Sequence, residues 1–139
     1  MFGIKKKQEK KTKIVADDSL RHIAFIMDGN GRWAKAKGMP REFGHKKGAE
    51  TMKNIVKYCG SININCVTVY AFSTENWKRP ENEVNAIMEL LGQYIDYLYT
   101  VMEKDDIQVH FLGDKSRFTP ELRERLEKAE SDSAKYSKI

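Results

Sequence analysis

The sequence has few of the residues that build a disulfide scaffold, a zinc site or a membrane span. Its 139 residues include two cysteines, Cys59 and Cys66, and three histidines, and these form no paired Cys/His set with zinc-binding spacing. No run approaches the roughly 18 consecutive apolar residues needed to cross a bilayer, and no signal-like apolar stretch is present. We therefore expect a reduced cytoplasmic protein, with any membrane contact peripheral.

The composition fits one soluble globular domain, with 40% hydrophobic and 32% charged residues. The net charge of +5 is uneven, because six lysines crowd into the first segment against Glu9 alone. We predict a basic, flexible tail over residues 1–20 and a folded domain over residues 21–139. The alternative for the tail is electrostatic contact with anionic lipid or nucleic acid. The six lysines are Lys5, Lys6, Lys7, Lys10, Lys11 and Lys13.

Three short apolar segments are typical of strands, at residues 22–27, 66–72 and 107–112. Residues 66–72 are rich in β-branched and aromatic side chains, so we expect a strand covered on both faces. A polar loop follows each of the first two segments. In a parallel sheet these loops share the carboxyl edge, where ligands bind in open α/β folds.

Helical spacing of apolar residues predicts two amphipathic helices, over Lys46–Cys59 and over Val84–Met102. Gly60 offers a stop for the first helix, and Glu83, Glu89 and Asp96 form the polar face of the second. Thr119, followed by a proline, predicts the start of another helix. Strands and helices therefore alternate, which predicts an α/β fold with a parallel-sheet core and flanking helices.

The first loop, from Asp28 to Trp33, combines glycines with cationic side chains. Backbone N–H groups and guanidiniums favour an anion with several oxygens, and a diphosphate fits better than a carboxylate. Asp28, a lone carboxylate there, is a natural Mg²⁺ ligand beside phosphate oxygens. An ordinary turn is the alternative interpretation. The candidate residues here are Asp28, Gly29, Asn30, Gly31, Arg32, Trp33, Arg41 and His45.

The second loop follows the 66–72 segment and offers a hydroxyl pair, an amide, an indole and a guanidinium. Its plainer interpretation is a helix-capping loop, with Trp77 as a packing residue and Arg79 as a surface charge. Two polar loops at one sheet edge favour a shared binding site. The candidate residues here are Ser73, Thr74, Glu75, Asn76, Trp77 and Arg79.

Four stretches resemble the motifs of the cis-prenyltransferase (undecaprenyl diphosphate synthase) family. They are residues 22–35, 44–48, 70–80 and 113–118, so the similarity runs from about His22 to about Ala129. The resemblance implies a truncated cis-prenyltransferase-like fold. It also implies an isoprenyl transferase that condenses isopentenyl diphosphate with an allylic diphosphate such as farnesyl diphosphate. The all-helical trans type is not indicated, because its Asp-Asp-x-x-Asp segments are absent.

By this resemblance, Asp28 would hold Mg²⁺ and assist departure of the allylic diphosphate. Asn76 would act in proton abstraction from isopentenyl diphosphate, although an amide is a poor base and could instead position a water or a diphosphate oxygen. Gly29, Asn30, Gly31, Arg32, Arg41 and His45 would grip the allylic diphosphate and Trp33 would line its pocket, while Ser73, Thr74, Glu75, Trp77 and Arg79 would shape the site between the two substrates.

The chain lacks the Arg-x-x-Gly-Glu-x-Arg-x-Ser stretch that the family uses for isopentenyl diphosphate. Residues 131–139 are polar and show no packing signal, and the family's homodimer surface is expected to be missing. We therefore expect a fragment of a synthase. The alternative is a non-catalytic isoprenyl-diphosphate-binding subunit that needs a partner chain. A nucleic-acid binder driven by the basic tail is disfavoured, since it leaves the Asp28 and Asn76 loops unexplained.

Overall fold

The computed structural model describes residues 15–137 and residue 139. The six lysines of the predicted basic tail lie outside these residues. In chain order, the elements are β1 (His22–Ile26), α1 (Asn30–Ala36), α2 (Arg41–Ser61), β2 (Cys66–Tyr70), a 3₁₀ helix (Thr74–Lys78), α3 (Glu81–Asp105) and α4 (Pro120–Ser133).

The sheet consists of β1 and β2, which pair in parallel from His22 opposite Cys66 to Ile26 opposite Tyr70. Parallel neighbours need a crossover connection, and α1 and α2 supply it. The predicted α/β class with a parallel sheet and flanking helices is therefore confirmed. Beyond the last pair, Met27 N–H donates to the Tyr70 carbonyl at 3.2 Å, so the chain leaves both strands at the same edge.

Residues 66–72 were expected to be covered on both faces and residues 22–27 to be a buried strand, and both expectations were wrong. Ile26 is 80% exposed and Tyr70 is 57% exposed. The physical reason is that the main packing contacts, apart from the strand pair, run from helix to helix: α1 with α2, α2 with α3, and α3 with α4. The sheet thus contributes little to the core of the described residues.

The predicted third strand, at residues 107–112, is also wrong, because this segment is not assigned as a strand. Its backbone N–H groups find other acceptors. Val109 N–H donates to Ser133 Oγ at 3.0 Å, and Phe111 N–H donates to Glu130 Oε1 at 2.6 Å. Side chains of α4 therefore satisfy the groups that a neighbouring strand would otherwise pair.

Packing at the end of the chain was underestimated. Ser133 is fully buried, and Ile139 packs against the cluster of Val101, Met102 and Ile107. Gln108 N–H donates to the Ile139 carbonyl at 2.8 Å. Residues 131–139 are thus part of the packed structure, with the exception that Lys138 is not described.

The two long amphipathic helices were predicted at the right positions but with different ends, and α1 was not predicted as a helix. α2 begins at Arg41 rather than Lys46 and passes through Gly60 to Ser61. α1 occupies residues predicted as a flexible loop. The start of α4 is confirmed: Pro120 is its first residue, and Thr119 Oγ1 accepts from Leu122 N–H at 3.2 Å.

The apolar face of α3 forms the main core. Ile95 on this face packs with Leu122, Leu126 and Ala129 of α4. Val101 and Met102 pack with Ile107.

No helix in the described part of the chain has the length and apolar character needed to cross a membrane. Cys59 and Cys66 are both free thiols, the first buried and the second exposed.

Candidate active site

Asp28 follows β1 by two residues, and its carboxylate is exposed to solvent. Its Oδ1 accepts from Gly29 N–H at 2.5 Å, and its Oδ2 pairs with an Arg32 terminal nitrogen at 3.0 Å. The side chains of Asp28 and Arg32 are 77% and 76% exposed. Gly29 has a φ of 84°, a left-handed conformation that glycine adopts without steric cost. This turn presents the carboxylate outward, where a ligand can reach it.

The first turn of α1 lies very close to α2, because three glycines remove side chains at the contact. A Cβ on Gly44 would collide with the Asn30 carbonyl oxygen, and one on Gly48 would lie 2.5 Å from Asn30 Nδ2. A Cβ on Gly31 would lie 2.8 Å from Arg41 Cζ and from one terminal nitrogen of Arg41. The Arg41 guanidinium therefore sits directly against the beginning of α1.

Three cationic or potentially cationic side chains converge on one buried carboxylate, that of Glu83. Arg41 Nε lies 3.1 Å from both carboxylate oxygens, His45 Nε2 lies 2.9 Å from Oε1, and an Arg79 terminal nitrogen lies 2.5 Å from Oε1. The Glu83 side chain is only 5% exposed, whereas that of Arg41 is 46% exposed. We call these four residues the Glu83 cluster.

Hydrogen bonding in this cluster keeps Glu83 ionised. Burial alone would raise the pKa of its carboxyl group, but the hydrogen bonds from His45, Arg79 and Arg41 outweigh burial and lower the pKa from 4.5 to about 2. An ionised carboxylate only accepts hydrogen bonds. The contact with His45 therefore requires a proton on His45 Nε2.

Glu83 was missed from the sequence and was assigned instead to the solvent face of α3. That assignment is corrected here, because Glu83 is buried at the first turn of the helix. One local signal was available: Arg79 precedes Glu83 by four residues and pairs with it. The contacts from Arg41 and His45 could not be read from spacing, since they join residues about 40 positions apart in the chain.

The second loop combines capping with packing. Ser73 N–H donates to Asn76 Oδ1 at 3.0 Å, which caps the 3₁₀ helix. Trp77 packs edge-on against Phe72, with ring centroids 4.9 Å apart, and the Arg117 guanidinium lies 4.5 Å from its ring centre. Packing and capping thus account for these contacts of Ser73, Asn76 and Trp77.

The remaining predicted residues with side chains, Thr74, Glu75 and Trp33, are exposed. Thr74 and Glu75 are exposed at the start of the 3₁₀ helix. Trp33 is 43% exposed and stacks on Phe43, with centroids 6.1 Å apart. Of the predicted site residues, the structure brings Arg41, His45 and Arg79 together and pairs Asp28 with Arg32.

The available metal-ligating side chains suit an ion that also binds oxygens of a ligand, rather than an ion enclosed by protein side chains alone. The described residues contain no group of three or more His, Cys, Asp or Glu side chains that could enclose an ion. Asp28 offers one exposed carboxylate. Mg²⁺ commonly takes one or two carboxylates and completes its shell with phosphate oxygens and water, so this residue fits that ion.

Known proteins share both the sequence and the fold. The family described as "Putative undecaprenyl diphosphate synthase" matches residues 26–139. An isoprenyl transferase from Clostridium perfringens is 47% identical over 113 residues, which are 81% of this chain and 45% of that protein. A ditrans,polycis-undecaprenyl-diphosphate synthase specific for (2E,6E)-farnesyl diphosphate, from Vibrio parahaemolyticus, is 46% identical over 84% of this chain and 47% of its own length.

A solved structure agrees with these sequence matches. Lavandulyl diphosphate synthase from Lavandula x intermedia, crystallised with dimethylallyl diphosphate, has a TM-score of 0.77 and 29% identity, covering 84% of this chain and 50% of that one. The chain spans about half the length of the curated relatives that it matches. The resemblance read from the motifs is confirmed: the chain belongs to the undecaprenyl diphosphate synthase family of isoprenyl transferases.

Proposed function

We propose that residues 28–83 bind the diphosphate of an allylic substrate in an isoprenyl transferase. The transferase would condense isopentenyl diphosphate with an allylic diphosphate such as farnesyl diphosphate, in the cis sense. The observation that carries this proposal is the placement of the Arg41 guanidinium between buried Glu83 and the glycine-lined start of α1.

The free donors of the Glu83 cluster suit a diphosphate. A guanidinium has five N–H donors, and Arg41 uses only its Nε–H in the hydrogen bonds to Glu83. The absence of a side chain at Gly31 leaves room for this guanidinium against the start of α1, so its terminal nitrogens lie beside the Asp28 loop. Two arginines fixed at one point can offer paired hydrogen bonds to phosphate oxygens.

Asp28 is proposed as the Mg²⁺ ligand beside this site. When bound, Mg²⁺ would neutralise charge on the departing diphosphate. The Asp28–Arg32 pair is exposed on both sides, and such pairs contribute only about 0.2–1 kcal/mol. Exchange of partners is therefore inexpensive: Arg32 can turn to a phosphate oxygen while Asp28 turns to the ion. Gly29 and Asn30 would contact the same diphosphate, and Trp33 would line the pocket.

Asn76 is proposed to position groups rather than to act as a base. Its Oδ1 accepts from Ser73 N–H, so the side chain is oriented with its amide NH₂ as the group left to offer a ligand. A donor can hold a diphosphate oxygen or a water, and that oxygen could take the proton. Ser73, Thr74, Glu75, Trp77 and Arg79 would shape this part of the site.

The complete reaction is proposed for a protein of the relatives' full length, because this chain spans about half of that length. The second candidate function is a binding subunit completed by a partner chain. It is favoured by exposed apolar side chains at Ile26, Tyr70 and Leu112, the last of which is 88% exposed. Contiguous exposed apolar patches commonly mark protein contacts, and Ile26 and Tyr70 are direct neighbours across the strand pair. The family's homodimer and a peripheral membrane contact stay predictions.

Calorimetric titration of farnesyl diphosphate into the folded chain with Mg²⁺ tests the binding site. We expect micromolar binding and a loss of about ten- to a hundredfold in affinity for Arg41→Ala, the usual size for a hydrogen bond to a charged group. Arg125→Ala is the matched control, since Arg125 also pairs with a carboxylate, that of Asp96, but lies on α4.

Equal loss in both arginine variants, or no binding by the folded wild type, would contradict the proposed site. Incorporation of labelled isopentenyl diphosphate then separates the two candidate functions. Turnover by the chain alone supports the complete reaction, whereas turnover only after mixing with a second chain supports the binding subunit.

A further inference from the structure

We propose that Glu83 is a positioning residue, whose carboxylate holds Arg41, Arg79 and His45 in the arrangement that receives the diphosphate. This inference rests on the proposed function. Arg41 and His45 come from α2, whereas Arg79 precedes α3, so Glu83 joins two separate parts of the chain at one point.

The location of a negative charge beside an anion site requires an explanation. A carboxylate close to bound phosphate repels it and attenuates the attraction of the arginines. By charge alone, Glu83 would therefore weaken the site that it adjoins. Its burial and its contacts with three donors indicate a compensating benefit, which is the fixed geometry of those donors.

The benefit arises because an arginine side chain loses considerable conformational freedom when it grips a ligand. An arginine already held by Glu83 has lost part of that freedom in the free protein. Arg41 is held through Nε and Arg79 through one terminal nitrogen, so each keeps other N–H groups for phosphate oxygens. Glu83 also fixes which nitrogen of His45 carries a proton.

The two roles predict effects of opposite sign for Glu83→Gln. This substitution removes the charge, keeps the size and turns one acceptor oxygen into a donor amide. If Glu83 only attenuates positive charge, Glu83→Gln binds farnesyl diphosphate with Mg²⁺ more tightly than wild type. If Glu83 positions the arginines, affinity falls by about ten- to a hundredfold, the ordering cost of two long side chains.

Glu81→Gln is the matched control. Glu81 is exposed in the same first turn of α3, so this variant makes the same change in charge near the site without touching the cluster. We expect equal or slightly tighter binding there. A conservative variant, Glu83→Asp, keeps the charge on a shorter side chain and is expected to recover part of the lost affinity.

A double-variant cycle tests whether Glu83 acts through Arg41. In the Arg41→Ala background, Glu83→Gln is expected to cost clearly less than in wild type, because one of the positioned groups is already absent. Additive losses would overturn the proposal, as would tighter binding by Glu83→Gln. If Glu83→Gln fails to fold, the same comparison is made with Glu83→Asp.

The outcomes separate this inference from the proposed function. If wild type does not bind farnesyl diphosphate, the proposed function fails. If wild type binds and Arg41→Ala weakens binding, but folded Glu83→Gln binds as wild type does, only the positioning role fails.

Discussion

Two carboxylates of the proposed site have opposite environments. Asp28 is 77% exposed and pairs with one equally exposed arginine, whereas Glu83 is 5% exposed and accepts from three side chains. Both pair with an arginine four residues away in the chain. Local sequence spacing therefore does not distinguish them; tertiary burial does.

This difference assigns the two groups to different tasks. An exposed pair can exchange partners at little cost, so Asp28 suits a ligand that binds and leaves. A buried carboxylate with several donors is costly to disturb, so Glu83 suits a permanent scaffold for the cations around it. We expect stability to depend mainly on Glu83 and metal dependence mainly on Asp28.

The largest expected effect is that of Glu83→Ala on stability. It leaves Arg41, Arg79 and His45 without their shared acceptor, and breaking a buried ion pair typically costs about 3–5 kcal/mol. Since Arg41 and Arg79 are partly exposed, water compensates in part, and we expect about 3 kcal/mol at the lower end of that range. Urea unfolding followed by circular dichroism measures this change.

Glu89→Ala is the control for this prediction. Glu89 is exposed on the same helix and accepts a hydrogen bond from Gln93 Nε2 at 3.3 Å. We expect its free energy of unfolding to change by no more than about 0.5 kcal/mol. If Glu83→Ala cost no more than Glu89→Ala, the contrast between a scaffold carboxylate and an exchangeable one would be lost.

The second prediction concerns the contact that brings the Asp28 loop against α2. Gly44→Ala places a methyl group onto the Asn30 carbonyl oxygen, which is backbone and cannot turn aside. We expect a loss of about 1–3 kcal/mol, typical of overpacking, and weaker farnesyl diphosphate binding because α1 moves away from Arg41. Thermal unfolding and calorimetry measure the two effects.

Gly60→Ala on the same helix separates overpacking from helix propensity. Among the described residues, a Cβ there meets two side-chain atoms of Ile139, which can shift where a backbone carbonyl cannot, and alanine favours the helix. Its stability should therefore stay the same or rise. A similar loss in both variants would mean that the close approach of α1 to α2 is not the cause.

These residues also show what the sequence could and could not predict. The start of α4 and the Asp28 turn depend on neighbouring residues, such as Thr119 with Pro120, so local signals were sufficient. The burial of Glu83 depends on the approach of α2, and a pattern of exposed and buried positions along one helix does not contain that information. Residues 107–112 have strand-like composition, but Ser133 and Glu130 side chains take their N–H groups.

The third prediction is a loss of stability in acid that depends on Glu83. Its pKa is lowered in the folded protein, from 4.5 to about 2, so the folded state binds this proton more weakly than the unfolded state. The stabilisation is therefore fully present above pH 4.5 and is lost as pH falls towards 2. Urea unfolding at a series of pH values should show the wild type approaching Glu83→Gln as pH falls through this window. A constant difference between the two would contradict the lowered pKa.

The smallest expected effect on stability is that of Asp28→Ala. Its pair with Arg32 is exposed, so we expect the free energy of unfolding to change by no more than about 0.5 kcal/mol. Binding should respond differently: the ratio of the Kd for farnesyl diphosphate in EDTA to that in Mg²⁺ should fall to about 1, since the proposed metal ligand is gone. Asp96→Ala is the matched control, because the Asp96 carboxylate is 72% exposed and also pairs with an arginine, Arg125 of α4. It should leave both stability and the Kd ratio near the wild-type values.

A Kd ratio unchanged by Asp28→Ala would remove Asp28 from the metal site, and a large loss of stability would show that Asp28, like Glu83, is part of the scaffold.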